Sequence, residues 1–215
     1  MSLELVDICH RYGADAPVLM NVNVVLHHGA LVGVVGPSGS GKSTLLAIAG
    51  LLTNPWHGDV IYEGQPIEKR SRINRSQIGW IFQSSNLLPR RSAVENTMMG
   101  PLSCGQMIDQ AQIDSGNALT QVEIAHLAQV PVRFLSGGEA QRVGIARALA
   151  SQSAYLFADE PTGQLDAVTT AVVVKALGMR RHQGLVTLVA THDPIVARSC
   201  DYVYTLTNGR LASGV

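Results

Sequence analysis

The chain has 215 residues, 46% of them hydrophobic, enough for one domain with a sizeable buried core and room for an inserted subdomain. Lys plus Arg and Asp plus Glu both number 16, so no basic excess points to a nucleic-acid partner. No stretch reaches about 18 apolar residues, and the acidic start lacks the basic region of a leader, so neither a membrane span nor a signal peptide is expected.

In chain order, Val22–Leu26 and Leu31–Val35 read as short strands split by the turn His27–Ala30. Lys42–Leu52 is apolar on one side and reads as a helix. Residues 58–67 read as strand, turn and strand, and residues 76–83 as another strand that leaves through a turn at Pro89. From about residue 93 the β-branched runs give way to Gln, Ala and Leu, predicting helices over 92–100 and 113–128 with a break at Pro131. A helix follows over 139–152, then the apolar strand 154–160, a helix over 167–183 and a strand over 185–193. Asn208-Gly209 predicts a closing hairpin. Alternating strands and helices predict an α/β fold around a parallel sheet.

Cys9, Cys104 and Cys200 are scattered without Cys-x-x-Cys spacing, which suits free thiols and no zinc site. Trp56 is expected to pack on the first helix, and His27-His28, Arg90-Arg91 and Arg180-Arg181 to be solvated. Leu87 and Leu88 suit either a partner surface or the core.

Three stretches carry chemistry. The first is "GPSGSGKST", Gly36, Pro37, Ser38, Gly39, Ser40, Gly41, Lys42, Ser43 and Thr44, set between a strand and a helix. Its glycines let several backbone N–H groups turn toward one anion, and the following helix adds the positive end of its dipole. Lys42 would reach the β- and γ-phosphates of a nucleotide, and the Ser43 hydroxyl would ligate Mg²⁺. Taken alone, the loop suits a kinase, a GTPase or a motor equally. The second is Asp159-Glu160 at the end of an apolar strand, where a parallel sheet presents its ligand site. Asp159 is placed to hold Mg²⁺ and Glu160 to deprotonate an attacking water; the plainer reading is two acids that cap the strand or the next turn. The third is "LSGGEAQR", residues 135–142, a glycine-flexed serine loop that opens a helix. Ser136 can cap that helix, and the Gly137 and Gly138 amides can face a phosphate. One nucleotide does not need two such cradles from one chain, but two copies arranged head to tail would use both.

Together with "LFADEPTGQLD" and "THD", these stretches resemble the ATP-binding cassette (ABC) ATPases, in order and over essentially the whole chain. The resemblance implies a P-loop NTPase fold, with a RecA-like parallel core, an antiparallel β subdomain and an inserted helical subdomain. The core would be residues 1–92 and 146–215, and the helical part, carrying the signature loop, residues 93–145. It implies that Tyr12 stacks on adenine, and that Gln83 touches Mg²⁺ and the attacking water. It also implies that Asp166 crosses a dimer interface and that His192 contacts the γ-phosphate. The cofactors would be ATP and Mg²⁺. The partners would be a second copy and an integral membrane permease subunit, with the chain peripheral on the cytoplasmic face.

"FQSSNLLP" and "ADEPTGQLD" look most like the lipoprotein-release, macrolide-export and cell-division group. Gln164 departs from that group's usual asparagine, Glu139 stands where glutamine is also common, and residues 101–130 match the group poorly. The implied function is ATP hydrolysis that drives transport. The cell-division relatives leave open an ATP-gated regulator without cargo.

Overall fold

The structure, a computed structural model, describes residues 2–13, 16–67 and 77–213. The strands in chain order are β1 (Ser2–His10), β2 (Leu19–His27), β3 (Leu31–Val35), β4 (His57–Tyr62), β5 (Gln65–Pro66), β6 (Ile78–Ile81), β7 (Tyr155–Asp159), β8 (Val186–Ala190), β9 (Tyr202–Thr207) and β10 (Arg210–Ser213). The helices are α1 (Lys42–Ala49), α2 (Ala93–Ser103), α3 (Ile108–Gln121), α4 (Gly137–Ala150), α5 (Ala167–Met179) and α6 (Pro194–Arg198).

The strands form two sheets. An antiparallel sheet has the order β2-β1-β4-β5. The other has the order β10-β9-β3-β8-β7-β6, parallel except for the closing hairpin β9–β10. The central strands β3, β7 and β8 are buried almost throughout, because both faces of the parallel sheet are covered. Their period of two divides the core. Val32, Val34, Tyr155, Phe157, Val186 and Leu188 face α1 and the antiparallel sheet. Leu31, Leu156, Ala158 and Val189 face the other way, against the helices.

β1 is a strand that composition alone does not announce. Leu3 and Leu5 alternate inward, a bulge at Asp7 (φ 50°) interrupts the pattern, and Ile8 and His10 resume it. β2 is longer than predicted at both ends because it pairs with β1 from Leu19 to His27. The strand predicted over 76–83 is β6, and Ser76 lies outside the described residues. The helix predicted over 113–128 ends at Gln121, where Glu123 turns left-handed (φ 57°) and a short 3₁₀ turn, Ala125–Leu127, follows. The hairpin turn at Asn208-Gly209 has φ of 50° and 73°, the primed-turn geometry its sequence predicts. A subdomain edge at residue 145 would cut α4, which runs unbroken to Ala150. Among the described residues, no helix is long and apolar enough to cross a membrane.

Two surface expectations are corrected. Trp56 does not pack on α1: its ring is exposed, with the Arg11 guanidinium 4.3 Å from its centroid. Arg180 is 3% exposed and not solvated. It donates to the Ser153 carbonyl and to the Thr187 hydroxyl, while burial lowers its pKa to about 10. Its neighbour Arg181 pairs with Asp201 at 3.0 Å. Leu87 packs on the helical core and Leu88 is exposed, so the pair divides between the two readings.

Gly50, just past α1, lets Trp80 and Phe157 close over the helix end. A Cβ there would sit 2.1 Å from Trp80 Cζ2 and 2.9 Å from Phe157 Cδ2. Gly50→Ala is therefore expected to cost about 1–3 kcal/mol by overpacking, measured as a lower urea midpoint at unchanged m.

Candidate active site

Parallel pairing sets the level at which four loops leave the sheet. Ile81 pairs with Ala158, Asp159 with Ala190, and Val34 also with Ala190. The residues just beyond these pairs are Gln83, Glu160, His192 and the loop from Gly36. They emerge side by side at the carboxyl ends of the strands.

The loop 36–44 closes on its own lysine. Lys42 Nζ donates to the Gly36 carbonyl at 2.8 Å and to the Pro37 carbonyl at 3.1 Å, and the side chain is largely buried. Gly36 and Gly41 are required by sterics as well as by φ (156° and 103°). A Cβ on Gly36 would meet the Leu206 carbonyl at 2.2 Å, and one on Gly41 the Val18 carbonyl at 3.0 Å. The buried Ser40 Oγ has no hydrogen-bond partner in the chain, as expected of a group that faces a ligand. Tyr12 is half exposed beside the loop. Its hydroxyl lies 3.1 Å from Thr44 Oγ1, and its ring meets His10 edge to face.

Asp159, at the end of β7, is half-buried beside the Ser43 hydroxyl. Burial raises its pKa above the usual aspartate value. The neighbouring Ser43 hydroxyl opposes that shift, the charge of Glu160 adds to it, and Lys42 counters it. Ser43 and Asp159 offer hard oxygen donors of the type a divalent cation takes, and Gln83, with a further amide oxygen, is exposed on the loop after β6. No group of three or more His, Cys, Asp or Glu side chains able to hold a metal occurs among the described residues.

Glu160 sits in a left-handed turn (φ 47°) pinned by its own N–H to the Ala190 carbonyl at 2.9 Å. His192 grips both carboxylate oxygens. Its Nδ1 lies 2.9 Å from Oε1 and its backbone N–H 3.3 Å from Oε2. Nearby, Thr162 donates to Asp193, which caps α6 through the Ile195 N–H, so the loops after β7 and β8 are tied together.

Ser136, Gly137, Gly138 and Asp166 form a separate group. Ser136 caps α4, accepting from the Glu139 N–H, while Glu139 Oε2 accepts from the Ser136 N–H at 2.7 Å and the Ser136 hydroxyl at 2.8 Å. Positions for Cβ atoms on Gly137 and Gly138 lie 3.4 Å from Gln164 Oε1 and 3.3 Å from Leu165 Cδ2. Asp166 caps α5 through the Thr169 N–H at 2.8 Å. Among the described residues, no hydrogen bond joins this group to the loop 36–44.

Sequence reasoning passed over the side chains that bind these parts together. Asn96 is fully buried on α2, where it accepts from the Leu88 N–H and donates to the carbonyls of Leu88, Arg91 and Ser92. Arg147 on α4 donates to the carbonyls of Ser85 and Asn86. Both anchor the loop that follows Gln83. Only their polarity on otherwise apolar helix faces could have singled them out.

The profile of the family described as ABC transporter matches residues 19–163. The chain is 41% identical to the lipoprotein-releasing system ATP-binding protein LolD 2 of Caulobacter vibrioides, over 92% of this chain and 89% of the relative. It is 40% identical to the macrolide export ATP-binding/permease protein MacB of Syntrophobacter fumaroxidans, over 96% of this chain but 30% of that longer protein. The dimeric post-hydrolysis structure of the ATP-binding cassette MJ0796, bound to ADP and Pi, superposes with a TM-score of 0.88 at 30% identity. It covers 99% of this chain and 97% of that one.

The Ser136 N–H and hydroxyl hold the Glu139 pKa below its usual value. A depressed carboxylate contributes stability above its unfolded pKa and loses it as the pH falls through the folded one. Glu139→Ala is therefore expected to lower the melting temperature at pH 7. The gap to the parent should close as the pH drops below the ordinary carboxylate range, as thermal melts across pH would show.

Proposed function

The chain belongs to the ABC transporter family as an ATP-hydrolysing cassette, and we propose that two copies close around two ATP to drive a separate membrane subunit in an export-type transporter. The observation that carries this reading is the convergence of Lys42, Ser43, Asp159, Glu160 and His192 at one end of the parallel sheet. Hydrolysis of a nucleoside triphosphate uses a phosphate cradle, a cation site and a carboxylate base together.

In this reading the backbone N–H groups from Gly36 to Thr44, including those of Pro37's neighbours Ser38, Gly39 and Ser40, surround the phosphates. Lys42 moves from its carbonyl acceptors to the β- and γ-oxygens. Ser43, Asp159 and Gln83 would hold Mg²⁺, which neutralises phosphate charge when bound. Tyr12 offers its exposed ring to adenine. Glu160 takes a proton from the attacking water as the water oxygen bonds to the γ-phosphorus. The bond to the β–γ bridging oxygen breaks, giving ADP and phosphate. His192 leaves one carboxylate oxygen of Glu160 to contact the γ-phosphate.

The Ser136–Gly138 helix start of the second copy completes each site, and Asp166 faces the same seam. Many of the charge-assisted bonds to phosphate, those from the second copy, exist only in the closed pair, so loss of phosphate reopens it. The dimeric, ADP- and Pi-bound neighbour supports this arrangement. The membrane subunit is expected on the loop after Gln83, where Leu88 is exposed. The release and export functions named for the relatives favour transport over a purely regulatory role.

Glu160→Gln is expected to bind ATP and accumulate as a dimer while turnover falls by about 10²–10⁴. Multiple-turnover assays and sedimentation check this, and normal hydrolysis would remove Glu160 as the base. Ser136→Arg is expected to bind ATP as a monomer and fail to dimerise. A dimer formed with ATP would contradict the shared site.

A further inference from the structure

Gln141 lies one turn into α4 and is 2% exposed. Its amide reaches two loops at once. Oε1 accepts from the Ser85 hydroxyl at 3.4 Å, and Nε2 donates to the Pro161 carbonyl at 3.3 Å. Ser85 is two residues beyond Gln83, and Pro161 directly follows Glu160. One buried side chain therefore spans the loops that hold the two residues placed around the attacking water. Its polarity is fixed, because Pro161 has no N–H and only the amide nitrogen can meet its carbonyl.

The surroundings make this bridge stiff. α4 presses on Ser85 at Gly144, where a Cβ would sit 3.0 Å from the Ser85 Cβ. Arg147, one turn further along, donates to the Ser85 carbonyl at 2.8 Å and the Asn86 carbonyl at 3.1 Å. Residues 141, 144 and 147 lie on one helical face, so this face of α4 clasps the loop in three places. On the far side α2 is drawn against α4 at Gly100, where a Cβ would fall 2.2 Å from the Arg147 carbonyl. A shift of the loop must move α4 with it or break the Gln141 bonds.

We propose that Gln141 is a positioning residue for ATP hydrolysis: its amide fixes the Glu160 turn against the loop that carries Gln83, and passes displacements of that loop to the catalytic carboxylate. This rests on the assignment of Glu160 as the base. Gln141 is buried, with its amide committed to Ser85 and Pro161, so its loss is expected to act on the chemical step and to leave ATP binding intact.

The test is a double-mutant cycle in the full chain. Gln141→Met keeps the length of the side chain but removes both hydrogen bonds, and Ser85→Ala cuts only the loop end. Gln141→Met is expected to lower kcat about ten-fold with KM for ATP within about two-fold. Ser85→Ala is expected to lower kcat in the same way by a smaller factor, and the double variant to be no slower than Gln141→Met alone. Three results overturn the proposal: kcat within about two-fold of the parent in Gln141→Met, single effects that multiply in the double variant, or KM rising in step with the fall in kcat. If Gln141→Met does not fold, Ser85→Ala decides alone, since an unchanged kcat there breaks the bridge as a functional link. Glu160→Gln run alongside separates the two failures. Normal turnover by that variant removes the base itself, whereas its inactivity beside a fully active Gln141→Met removes only the bridge.

Discussion

Asp159 and Val34 both pair with Ala190, and Ile81 pairs with Ala158 one step back. This parallel register is the constraint on which the site depends. A slip of one residue in any of these strands would turn its buried side chains to the opposite face. The core opposes such a slip with Val34, Phe157 and Leu188 on one side and Leu156, Ala158 and Val189 on the other. Hydrophobic packing on both faces therefore sets the position of Glu160 relative to Lys42 and His192 before any nucleotide arrives. The polar bonds at the strand ends refine an arrangement that burial has already imposed.

Several of these groups satisfy one another within the chain. Lys42 uses the carbonyls of Gly36 and Pro37, and Glu160 uses His192. Each of these contacts joins groups that a bound triphosphate would separate or recruit. The site is thus held near its working geometry by partners that can be exchanged for ligand, which keeps reorganisation small when ligand binds. Ser40 is the exception, a buried hydroxyl with no partner in the chain.

Much of this was legible in the sequence because the chemistry sits on short contiguous stretches. The loop 36–44, Asp159-Glu160 and the α4 cap at Ser136 all announce themselves through glycines, acids and strand or helix boundaries. β1 was harder to read because the bulge at Asp7 breaks its alternation. Arg180 gave no signal of burial, since its partners, the Ser153 carbonyl and Thr187, lie on separate segments. The same holds for Asn96, Gln141 and Arg147. Their roles come from contacts 4 to 62 residues away in the chain, most of which no local pattern encodes. Trp56 misled for a related reason: an aromatic side chain suggests core, but a neighbouring arginine can cover it at the surface.

The central claim is that each nucleotide is gripped by two chains, with the loop 36–44 of one and the α4 cap of the other. The most direct measurement is the initial rate of ATP hydrolysis as a function of chain concentration, with the assembly state followed by sedimentation in the same buffer. A shared site predicts that the rate rises with the square of concentration while the chain is mostly monomeric, and becomes linear once dimers dominate. A rate strictly proportional to concentration, from a chain that sediments as a monomer throughout, would contradict it.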